Sequence, residues 1–321
     1  MFQKIFNEFK MNEFDYIKKY FRPLTNKFAL DLKNDGAILN QKSSFDLIIS
    51  TDTLAEGIHF FGNEDPADIA KKSLRVNLSD MAAMGAKPLF YTLALSLPKN
   101  KANQFIPKFS KGLQEDQEIF DIKLIGGDLT SSLRHINVTI TIFGRTANGK
   151  SIPRDGAKIG DCLYVSGILG LSKIGLDNYN SNLKKFQEAK IKYLFPQPRV
   201  DLGISLENIA NSMIDISDGL IQDATHLAKS SDLTVELNLN KIPLPNIQQL
   251  KKELILNSAL YGGDDYELLF SCSILNEKLI KKLSKKLNLK LTKIGVFKKF
   301  NKKYLEFKNN NSKPKSSYLH F

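Results

Sequence analysis

The sequence predicts a mixed α/β fold made of two domains. The chain has 321 residues, which is long enough for two hydrophobic cores. Strand-like and helix-like segments occur in both halves, without the strict alternation of a barrel and without a dinucleotide-binding glycine fingerprint. A turn-rich segment over residues 146–161 separates the halves. We therefore expect an N-terminal domain over residues 1–147 and a C-terminal domain over residues 148–321.

The N-terminal half has helical segments with apolar spacing and strands that end in polar turns. Pro66 suits the first turn of one helix and Gly85 suits its end, while Pro107 is expected to interrupt another. Residues 1–27 are predicted to form an amphipathic helix followed by a loop, and further helices are predicted over residues 66–84 and 102–121. The predicted strands cover residues 28–32, 45–52, 89–98, 122–128 and 135–145, and the last of these alternates as a half-buried antiparallel strand does.

The C-terminal half repeats this mixture. Short apolar runs, partly β-branched, predict strands, and longer runs with helical spacing predict helices. The predicted strands cover residues 161–167, 212–217, 232–239, 266–272 and 291–297. The predicted helices cover residues 218–231 and 276–289. The segments between them receive no assignment.

The composition is that of a globular protein, with 42% hydrophobic and 25% charged residues. No stretch approaches the roughly 20 apolar residues of a membrane span. The charged N-terminus lacks the apolar core of a signal peptide. Two separate cysteines, Cys162 and Cys272, follow apolar residues and predict buried, reduced thiols. We expect a cytoplasmic protein with no membrane partner.

The net charge of +12 raises the possibility of a nucleic-acid ligand. The lysines are scattered, however, and are densest in the Asn-rich C-terminal segment. The interleaving of basic and aromatic residues that is typical of RNA-binding surfaces is missing. We therefore expect no nucleic-acid partner, although the excess of lysine can attract an anionic substrate.

Six aspartates in short polar turns suggest the chemistry of the site. They are Asp35, Asp52, Asp80, Asp128, Asp215 and Asp218. Clustered carboxylates repel one another unless a cation neutralises them. The pattern indicates a site with several Mg²⁺ ions that bridge protein oxygens and the oxygens of a polyphosphate. The phosphate loop, the protein-kinase signature and the nucleophile elbow are all missing, so a nucleotide would have to bind through carboxylates and metal.

Each aspartate also has a structural explanation. Ser50, Thr51 and Asp52 follow a predicted buried strand and could ligate a metal or simply satisfy a turn. In IDISDGL, Ser217 could cap a helix with Asp218 in its first turn. Two aspartates fit a structural role less well.

Asp80 lies late in a predicted helix, where the macrodipole gives a carboxylate nothing, and Asp215 lies in an apolar strand, where an unpaired charge is costly. Two glycine pairs precede other acids. Gly127 would let the backbone approach a phosphate beside Asp128, and Gly262–Gly263 precede Asp264. Glu267 alternates with apolar neighbours and can be structural.

Taken in order, the motifs resemble the thiamine-monophosphate kinase family, in the superfamily of aminoimidazole ribonucleotide synthetase and selenophosphate synthetase. The matching segments are NDGAIL, ISTDTLAEGIHF, VNLSDMAAMGAKP, LIGGDLTSS, PRDGAKIGD, NSMIDISDGLIQDATHLAKSS and YGGDDYELLF, and the ending SYLHF also fits. Each segment is moderately specific and the ordered set is very specific.

The resemblance implies a fold and an activity. The fold is that of aminoimidazole ribonucleotide synthetase, two α/β domains in which the N-terminal sheets of two subunits pair into a barrel-like homodimer. The activity is transfer of the γ-phosphoryl group of ATP to thiamine monophosphate, directly and in line, giving thiamine diphosphate. The alternative is another ATP-dependent phosphotransferase or synthetase of the same superfamily, and a third class is a non-enzymatic basic binding protein.

The resemblance also implies roles for named residues. The implied Mg²⁺ ligands are Asp35, Ser50, Thr51, Asp52, Asp80, Asp128, Asp215 and Asp218. Gly127, Asp128, Arg154 and Ser217 match positions that contact ATP. His59, Asp264 and Tyr318 match positions that contact thiamine monophosphate, and no residue is implied as a covalent nucleophile. The chain departs from the family at Asn34, where an acid is usual, and at Asp264, where Glu is frequent.

Overall fold

The protein contains two β-sheets, each packed against helices. The computed structural model describes residues 33–40 and 44–308, together with residues 18 and 22. The helix and loop predicted within residues 1–27, and the strand predicted over residues 28–32, lie outside the described residues, apart from those two positions. Tyr318 also lies outside them. No helix in the described part of the chain is both long and apolar enough to cross a membrane.

The first sheet has five strands in the order β1-β2-β5-β3-β4. Its strands are β1 (Ala37–Asn40), β2 (Phe45–Ala55), β3 (Lys87–Pro98), β4 (Lys123–Ser132) and β5 (Asn137–Ala147). Strands β3 and β4 are parallel, and the other neighbours are antiparallel. Two helices, α1 (Pro66–Ala83) and α2 (Lys99–Phe120), pack against one face of this sheet and bury a core that includes Ile48, Leu78 and Tyr91.

The second sheet has six strands in the order β11-β8-β10-β6-β9-β7. Its strands are β6 (Cys162–Ser166), β7 (Ser212–Asp215), β8 (Leu233–Leu237), β9 (Leu268–Cys272), β10 (Leu291–Lys299) and β11 (Leu305–Phe307). The helices of this half are α3 (Leu171–Asp177), α4 (Gln187–Leu194), α5 (Val200–Ser205), α6 (Leu220–Ser230), α7 (Lys252–Tyr261) and α8 (Glu277–Lys286). The mixed α/β class predicted from the sequence is confirmed.

Helix α1 connects the two sheets. Most of its residues are buried, as expected for a helix covered on more than one side. Its middle packs on the first sheet, while Ala82 and Ala83 join a core with residues of the second sheet. A Cβ on Gly203 of α5 would lie 2.1 Å from the Ala82 carbonyl oxygen, so this approach requires glycine. The last turn of α1 therefore lies between the sheets.

Several predicted element boundaries were wrong. Strand β2 does not end at Asp52 but continues to Ala55, because its ladder with β5 is unbroken over this stretch. Strand β4 likewise continues through both of its glycines to Ser132. Pro107 does not interrupt α2, since Pro107 is solvent-exposed and the buried face of the helix, with Phe105 and Phe109, keeps its packing.

Three helices between residues 168 and 211, and helix α7, were not predicted. They are six to ten residues long, and α4 and α7 lack the clear separation of apolar and charged faces that made the equally short α8 recognisable. Tertiary contacts stabilise such short helices, because isolated helices of this length are marginal in water. The predicted thiols Cys162 and Cys272 are both buried and free, and face each other across β6 and β9.

Candidate active site

Three carboxylates converge where α1 meets both sheets. Asp35 precedes β1, Asp80 lies in the last turn of α1, and Asp215 is the last residue of β7. One carboxylate oxygen from each lies within 4.8 Å of the others. Asp80 and Asp215 are 135 residues apart in the sequence (215 − 80). Only the packing of α1 between the sheets brings the three carboxylates together.

Burial and mutual repulsion raise the pKa values of two of these carboxylates, Asp80 and Asp215. Burial, followed by the charge of Asp35, raises the pKa of Asp215 to about 7. Burial, followed by the charges of Asp52, Asp215 and Asp35, raises the pKa of Asp80 well above its ordinary value. The hydroxyl groups of Ser50 and Ser79 oppose these shifts by donating to Asp80 and Asp215, each over 2.5 Å. A cation would remove the repulsion altogether.

The donor set of the cluster fits a hard divalent cation. Carboxylate and hydroxyl oxygens are the ligands that Mg²⁺ and Ca²⁺ prefer, whereas zinc sites are rich in His and Cys. The residues available in the first shell are Asp35, Asp80, Asp215 and Ser50, and no His or Cys belongs to this group among the described residues.

A cavity of about 560 Å³ opens beside the cluster. It is lined by most of the residues that the motifs singled out: Asp35, Ser50, Thr51, Asp52, His59, Asp80, Arg154, Asp215, Ser217, Asp218 and Asp264. This volume is in the range of sites for nucleotides and drug-sized ligands, which are roughly 300–1,000 Å³. One side of the cavity is thus rich in carboxylates, and the side near α3 and α7 contributes Lys173, Leu176 and Tyr261.

Arg154 and Asp35 form a bidentate ion pair. Arg154 Nε donates to Asp35 Oδ2 over 2.9 Å, and Arg154 Nη2 donates to Asp35 Oδ1. Burial by itself lowers the pKa of Arg154, but the charge and the hydrogen bonds of Asp35, together with the charges of Asp215 and Asp80, raise it overall. Asn34 accepts a 2.9 Å hydrogen bond from the Arg154 backbone N–H through Oδ1. Asn34 therefore anchors the main chain at Arg154.

The backbone of Asp52 is hydrogen-bonded to Asn77, a residue of α1. Its backbone N–H donates to Asn77 Oδ1 over 3.1 Å, and Asn77 Nδ2 donates to the Ser73 carbonyl over 2.9 Å. Sequence reasoning missed Asn77 and Ser79. The sequence does contain a signal for a functional role, because both polar residues lie among apolar residues in the second half of α1.

The turn around Asp218 differs from the predicted helix cap. Helix α6 begins at Leu220 with Gly219 as its cap residue, so Ser217 does not cap it. Instead Asp223 Oδ2 accepts hydrogen bonds from the backbone N–H groups of Asp218 (3.2 Å) and Gly219 (3.1 Å). The Asp218 carboxylate accepts from Gln222 Nε2 over 2.8 Å and lines the cavity. Ser217 is thereby left to face the cavity.

His59 and Asp264 lie together on the cavity wall. The Ala55 N–H donates to His59 Nδ1 over 3.0 Å, which assigns the ring proton of a neutral His59 to Nε2. Asp264 Oδ2 lies 2.8 Å from Lys72 Nζ, and Tyr266 donates its hydroxyl to Asp264 Oδ1 over 3.2 Å. Lys72 was not identified from the sequence.

Gly127 and Asp128 are not brought to the cavity. Both lie on β4, the exposed edge strand of the first sheet, and neither lines the cavity in the described part of the chain. Glu267 is also separate. It is buried with Lys192 and Arg199, whose nitrogens lie 2.8 and 2.6 Å from its Oε1, so its role is structural.

Known proteins share this fold and its sequence motifs. Residues 33–146 match the family described as AIR synthase related protein, N-terminal domain. A thiamine-monophosphate kinase from Buchnera aphidicola (subspecies Schizaphis graminum) is 40% identical over 294 residues, which cover 88% of this chain and 90% of the relative. The chain belongs to the thiamine-monophosphate kinase family. The resemblance inferred from the ordered motifs is thereby confirmed.

Solved structures of thiamine-monophosphate kinases agree with this family assignment. The enzyme from Stenotrophomonas maltophilia K279a aligns with a TM-score of 0.79 and 32% identity, over 91% of this chain and 94% of that one. A structure described as AaThiL complexed with AMPPCP and TMP aligns with a TM-score of 0.85 and 28% identity, over 100% of both chains. The mixed α/β fold with two sheets expected from the resemblance is therefore confirmed.

Proposed function

We propose that this protein transfers the γ-phosphoryl group of ATP to thiamine monophosphate and forms thiamine diphosphate. The observation that carries the proposal is the convergence of Asp35, Asp80 and Asp215 within 4.8 Å beside a cavity of about 560 Å³. Family membership supplies the substrates, since relatives carry this activity in their names and a related structure holds an ATP analogue with TMP.

The reaction needs alignment and charge neutralisation more than it needs a nucleophile from the protein. An oxygen of the acceptor phosphate attacks the γ-phosphorus of ATP, the bond from that phosphorus to the β–γ bridging oxygen breaks, and ADP leaves. The acceptor oxygen is already anionic, so no strong general base is required. We assign none of the carboxylates as a covalent nucleophile.

We propose several Mg²⁺ ions as the cations of the site. Their ligands would come from Asp35, Ser50, Thr51, Asp52, Asp80, Asp128, Asp215 and Asp218. When bound, such ions neutralise phosphate charge. The half-buried Asp52 and Asp218 face the same cavity as the central cluster, which supports their assignment. Asp128 and Thr51 are the least supported ligands. Asp128 lies on an exposed edge strand, and the Thr51 hydroxyl donates to Thr141 on the face of the sheet opposite to Ser50 and Asp52.

The two substrates are proposed to occupy opposite parts of the cavity. Arg154 and Ser217, beside the carboxylates, would contact ATP, together with Gly127 and Asp128 if β4 adjusts toward the nucleotide. His59 and Asp264 would contact thiamine monophosphate. The His59 carbonyl and the Asp264 carboxylate both accept from Lys72, which supports their assignment to one subsite, and Tyr318 is proposed as a third contact from the C-terminal segment. The Nε2 proton of His59 is suited to a phosphate oxygen.

We further propose a homodimer formed through the first sheet. One face of that sheet is covered by helices, whereas Thr51, Thr53, Thr139 and Thr141 on the opposite face are at least partly exposed. The edge strand β4 also exposes Leu124, Ile125 and Leu129. Pairing of two such sheets into a barrel would cover both surfaces.

Two further proposals concern the domain boundary and the compartment. We propose that the boundary between the domains lies near residue 147. The two buried free thiols support the cytoplasm as the compartment.

Direct measurement of thiamine diphosphate tests the proposed reaction. The protein is incubated with ATP, Mg²⁺ and thiamine monophosphate, and thiamine diphosphate is quantified by chromatography. We expect product with the wild type and loss of at least about 100-fold in kcat for Asp52→Asn, because removal of one charge unbalances the metal site. Asp121→Asn, at an exposed helix end with a left-handed backbone that Asn tolerates, is the control with unchanged turnover.

Three outcomes would contradict parts of the proposal. Near-normal turnover of Asp52→Asn in saturating Mg²⁺ would remove Asp52 from the metal site. ATP hydrolysis that depends on a different acceptor, with no thiamine diphosphate formed, would favour another phosphotransferase of the same superfamily. Duplex DNA binding with a steep salt dependence, and no thermal shift with ATP, would favour the basic binding protein.

A further inference from the structure

Lys72 is a buried ammonium that does not line the cavity but touches two groups that do. The residue lies on α1 and is 3% exposed. Its Nζ donates to the His59 carbonyl oxygen over 3.0 Å and to Asp264 Oδ2 over 2.8 Å. The same nitrogen lies 3.8 Å from the centre of the Tyr193 ring, within the range of a cation–π contact. Its charge is thus compensated on three sides.

These partners are themselves connected. Tyr193 donates its hydroxyl to the same His59 carbonyl over 3.2 Å, and Tyr266 donates to the other oxygen of Asp264 over 3.2 Å. Each oxygen of the Asp264 carboxylate is therefore held by a different donor. Since the side chain remains 29% exposed, its remaining lone pairs can still accept a hydrogen bond from a ligand in the cavity.

The backbone at Asp264 needs such support. Its φ of 67° lies in the left-handed region, which a residue other than glycine adopts at a cost. The Asp264 N–H donates to the Ser217 carbonyl over 2.9 Å, and this bond anchors the main chain but not the carboxylate. The orientation of the carboxylate therefore depends on Lys72 and Tyr266.

We propose that Lys72 is the positioning residue of the acceptor subsite. It fixes the turn that carries His59 and the loop that carries Asp264 at one distance from each other, with α1 as the common support. Asp264 is then presented to an N–H donor of the acceptor, such as the amino group of an aminopyrimidine, while His59 faces its phosphate. Lys72 itself contacts no substrate. This inference rests on the proposed function, because it assigns the residue to the thiamine monophosphate side of the cavity.

The test compares two neighbouring lysines of the same helix. Lys72→Met keeps an unbranched side chain beside Tyr193 and removes the charge. Lys71→Met is the matched control, since Lys71 pairs with Glu115 at the surface. For Lys72→Met we expect the KM for thiamine monophosphate to rise on the order of 10- to 100-fold, as for loss of a charge-assisted hydrogen bond. The KM for ATP and kcat should stay within about twofold, as should all constants of Lys71→Met.

The test compares the change in the KM for thiamine monophosphate with the change in the KM for ATP. An unchanged KM for thiamine monophosphate, or an equal rise in the KM for ATP, would overturn the inference. If Lys72→Met does not fold, Tyr193→Phe replaces it, because that variant keeps the ring under the ammonium and removes only the hydroxyl that holds the His59 carbonyl. A rise of about threefold in the KM for thiamine monophosphate is then expected, and no rise overturns the inference.

The proposed function and the role of Lys72 can fail separately. If the wild type makes no thiamine diphosphate, the proposed reaction is wrong. Binding of thiamine monophosphate without ATP, measured by calorimetry, then decides the role of Lys72. Weaker binding by Lys72→Met than by Lys71→Met supports the inference, and equal binding by both, or no binding by the wild type, overturns it.

Discussion

Single residues show a conflict between stability and function at the carboxylate cluster. Asp80 and Asp215 have raised pKa values because burial and neighbouring carboxylates disfavour their charged forms. A fold selected for stability alone would not place these groups together. A cation bound there, as we propose, would offset this cost. Without metal, removing one of these two carboxylates should stabilise the folded protein, because it removes part of the repulsion.

The first prediction concerns the pH dependence of that stability. The folded-state pKa of Asp215 is raised from 3.8 to about 7. Its stabilising contribution is therefore fully present below the unfolded value and is lost as the pH rises through the folded value. Without metal, we expect the free energy of unfolding to fall between pH 5 and pH 8 by about 1–4 kcal/mol through this residue. Asp215→Asn should show a shallower fall.

Denaturant unfolding in EDTA at several pH values measures this effect. Asp80, Asp223 and Asp265 also have raised pKa values and leave a residual slope in the variant. Added Mg²⁺ should stabilise the wild type at pH 8 more than it stabilises Asp215→Asn. Identical pH slopes for the two proteins would show that Asp215 does not titrate in this way.

The second prediction concerns the buried ion pair of Glu267. This carboxylate accepts from Arg199, Lys192 and the Ser166 hydroxyl, and although burial by itself raises its pKa, the charges of Lys192 and Arg199 lower it overall. Glu267→Gln leaves two partly buried cations without a counter-charge and should cost about 3 kcal/mol of unfolding free energy. Glu277→Gln, which removes a surface pair with Lys281, should cost less than about 0.5 kcal/mol. Equal losses for the two variants in urea would contradict a structural role for Glu267.

At the scale of elements, strand β4 depends on one of its two adjacent glycines. Gly127 has a φ of 156°, and a Cβ there would lie 1.9 Å from the Leu93 carbonyl oxygen of β3. At Gly126 a Cβ would meet nothing within 4 Å. The two glycines look equivalent in the sequence, but only Gly127 is required for the close pairing of β4 with β3.

The third prediction follows from this difference. Gly127→Ala should lower the unfolding free energy by about 1–3 kcal/mol, because β4 has to move away from β3. It should also weaken ATP binding if the proposed nucleotide contact is right. Gly126→Ala should change stability by less than about 1 kcal/mol. Thermal unfolding of the two variants, with and without ATP and Mg²⁺, measures both effects, and indistinguishable melting temperatures would rule out the steric explanation.

At the scale of the whole molecule, the uncovered face of the first sheet is the main feature left unexplained by one chain. Phe90 and Phe143 pair on adjacent strands of this sheet with ring centres 5.3 Å apart, and both remain partly exposed. Thr139, Thr141 and Phe143 occupy every second position of β5, so all three side chains lie on the same face of the sheet. A partner subunit would bury this surface.

The fourth prediction is that this face carries the homodimer. A charge introduced by Phe143→Asp would be buried without a partner in the proposed barrel and should convert the dimer to a monomer. Leu275→Asp, at an exposed site in the second half of the chain, is the control and should remain dimeric. Sedimentation velocity at micromolar concentration gives the mass. A monomeric wild type, or a dimeric Phe143→Asp variant, would contradict the arrangement.

Prediction from the sequence was most successful where a local pattern is long. The helix starting at Pro66 was predicted because its apolar spacing persists for five turns, and the alternation in β5 identified that strand. Strand ends were predicted poorly, because Asp52 and the β4 glycines read as turn residues while their backbones continue to pair. The short helices α3, α4, α5 and α7 were not predicted, because helices of this length depend on tertiary contacts.

The amino-acid sequence was sufficient for the family and for the type of chemistry. Ordered aspartate motifs specify oxygen ligands, and their order specifies the family, because both are properties of residue type and position along the chain. The tertiary structure was needed to show which aspartates meet. It brings together Asp35, Asp80 and Asp215, leaves Asp128 on an exposed edge, and places Lys72 behind the cavity wall. Distances between residues far apart in the chain depend on how α1 packs between two sheets, and no local pattern encodes that packing.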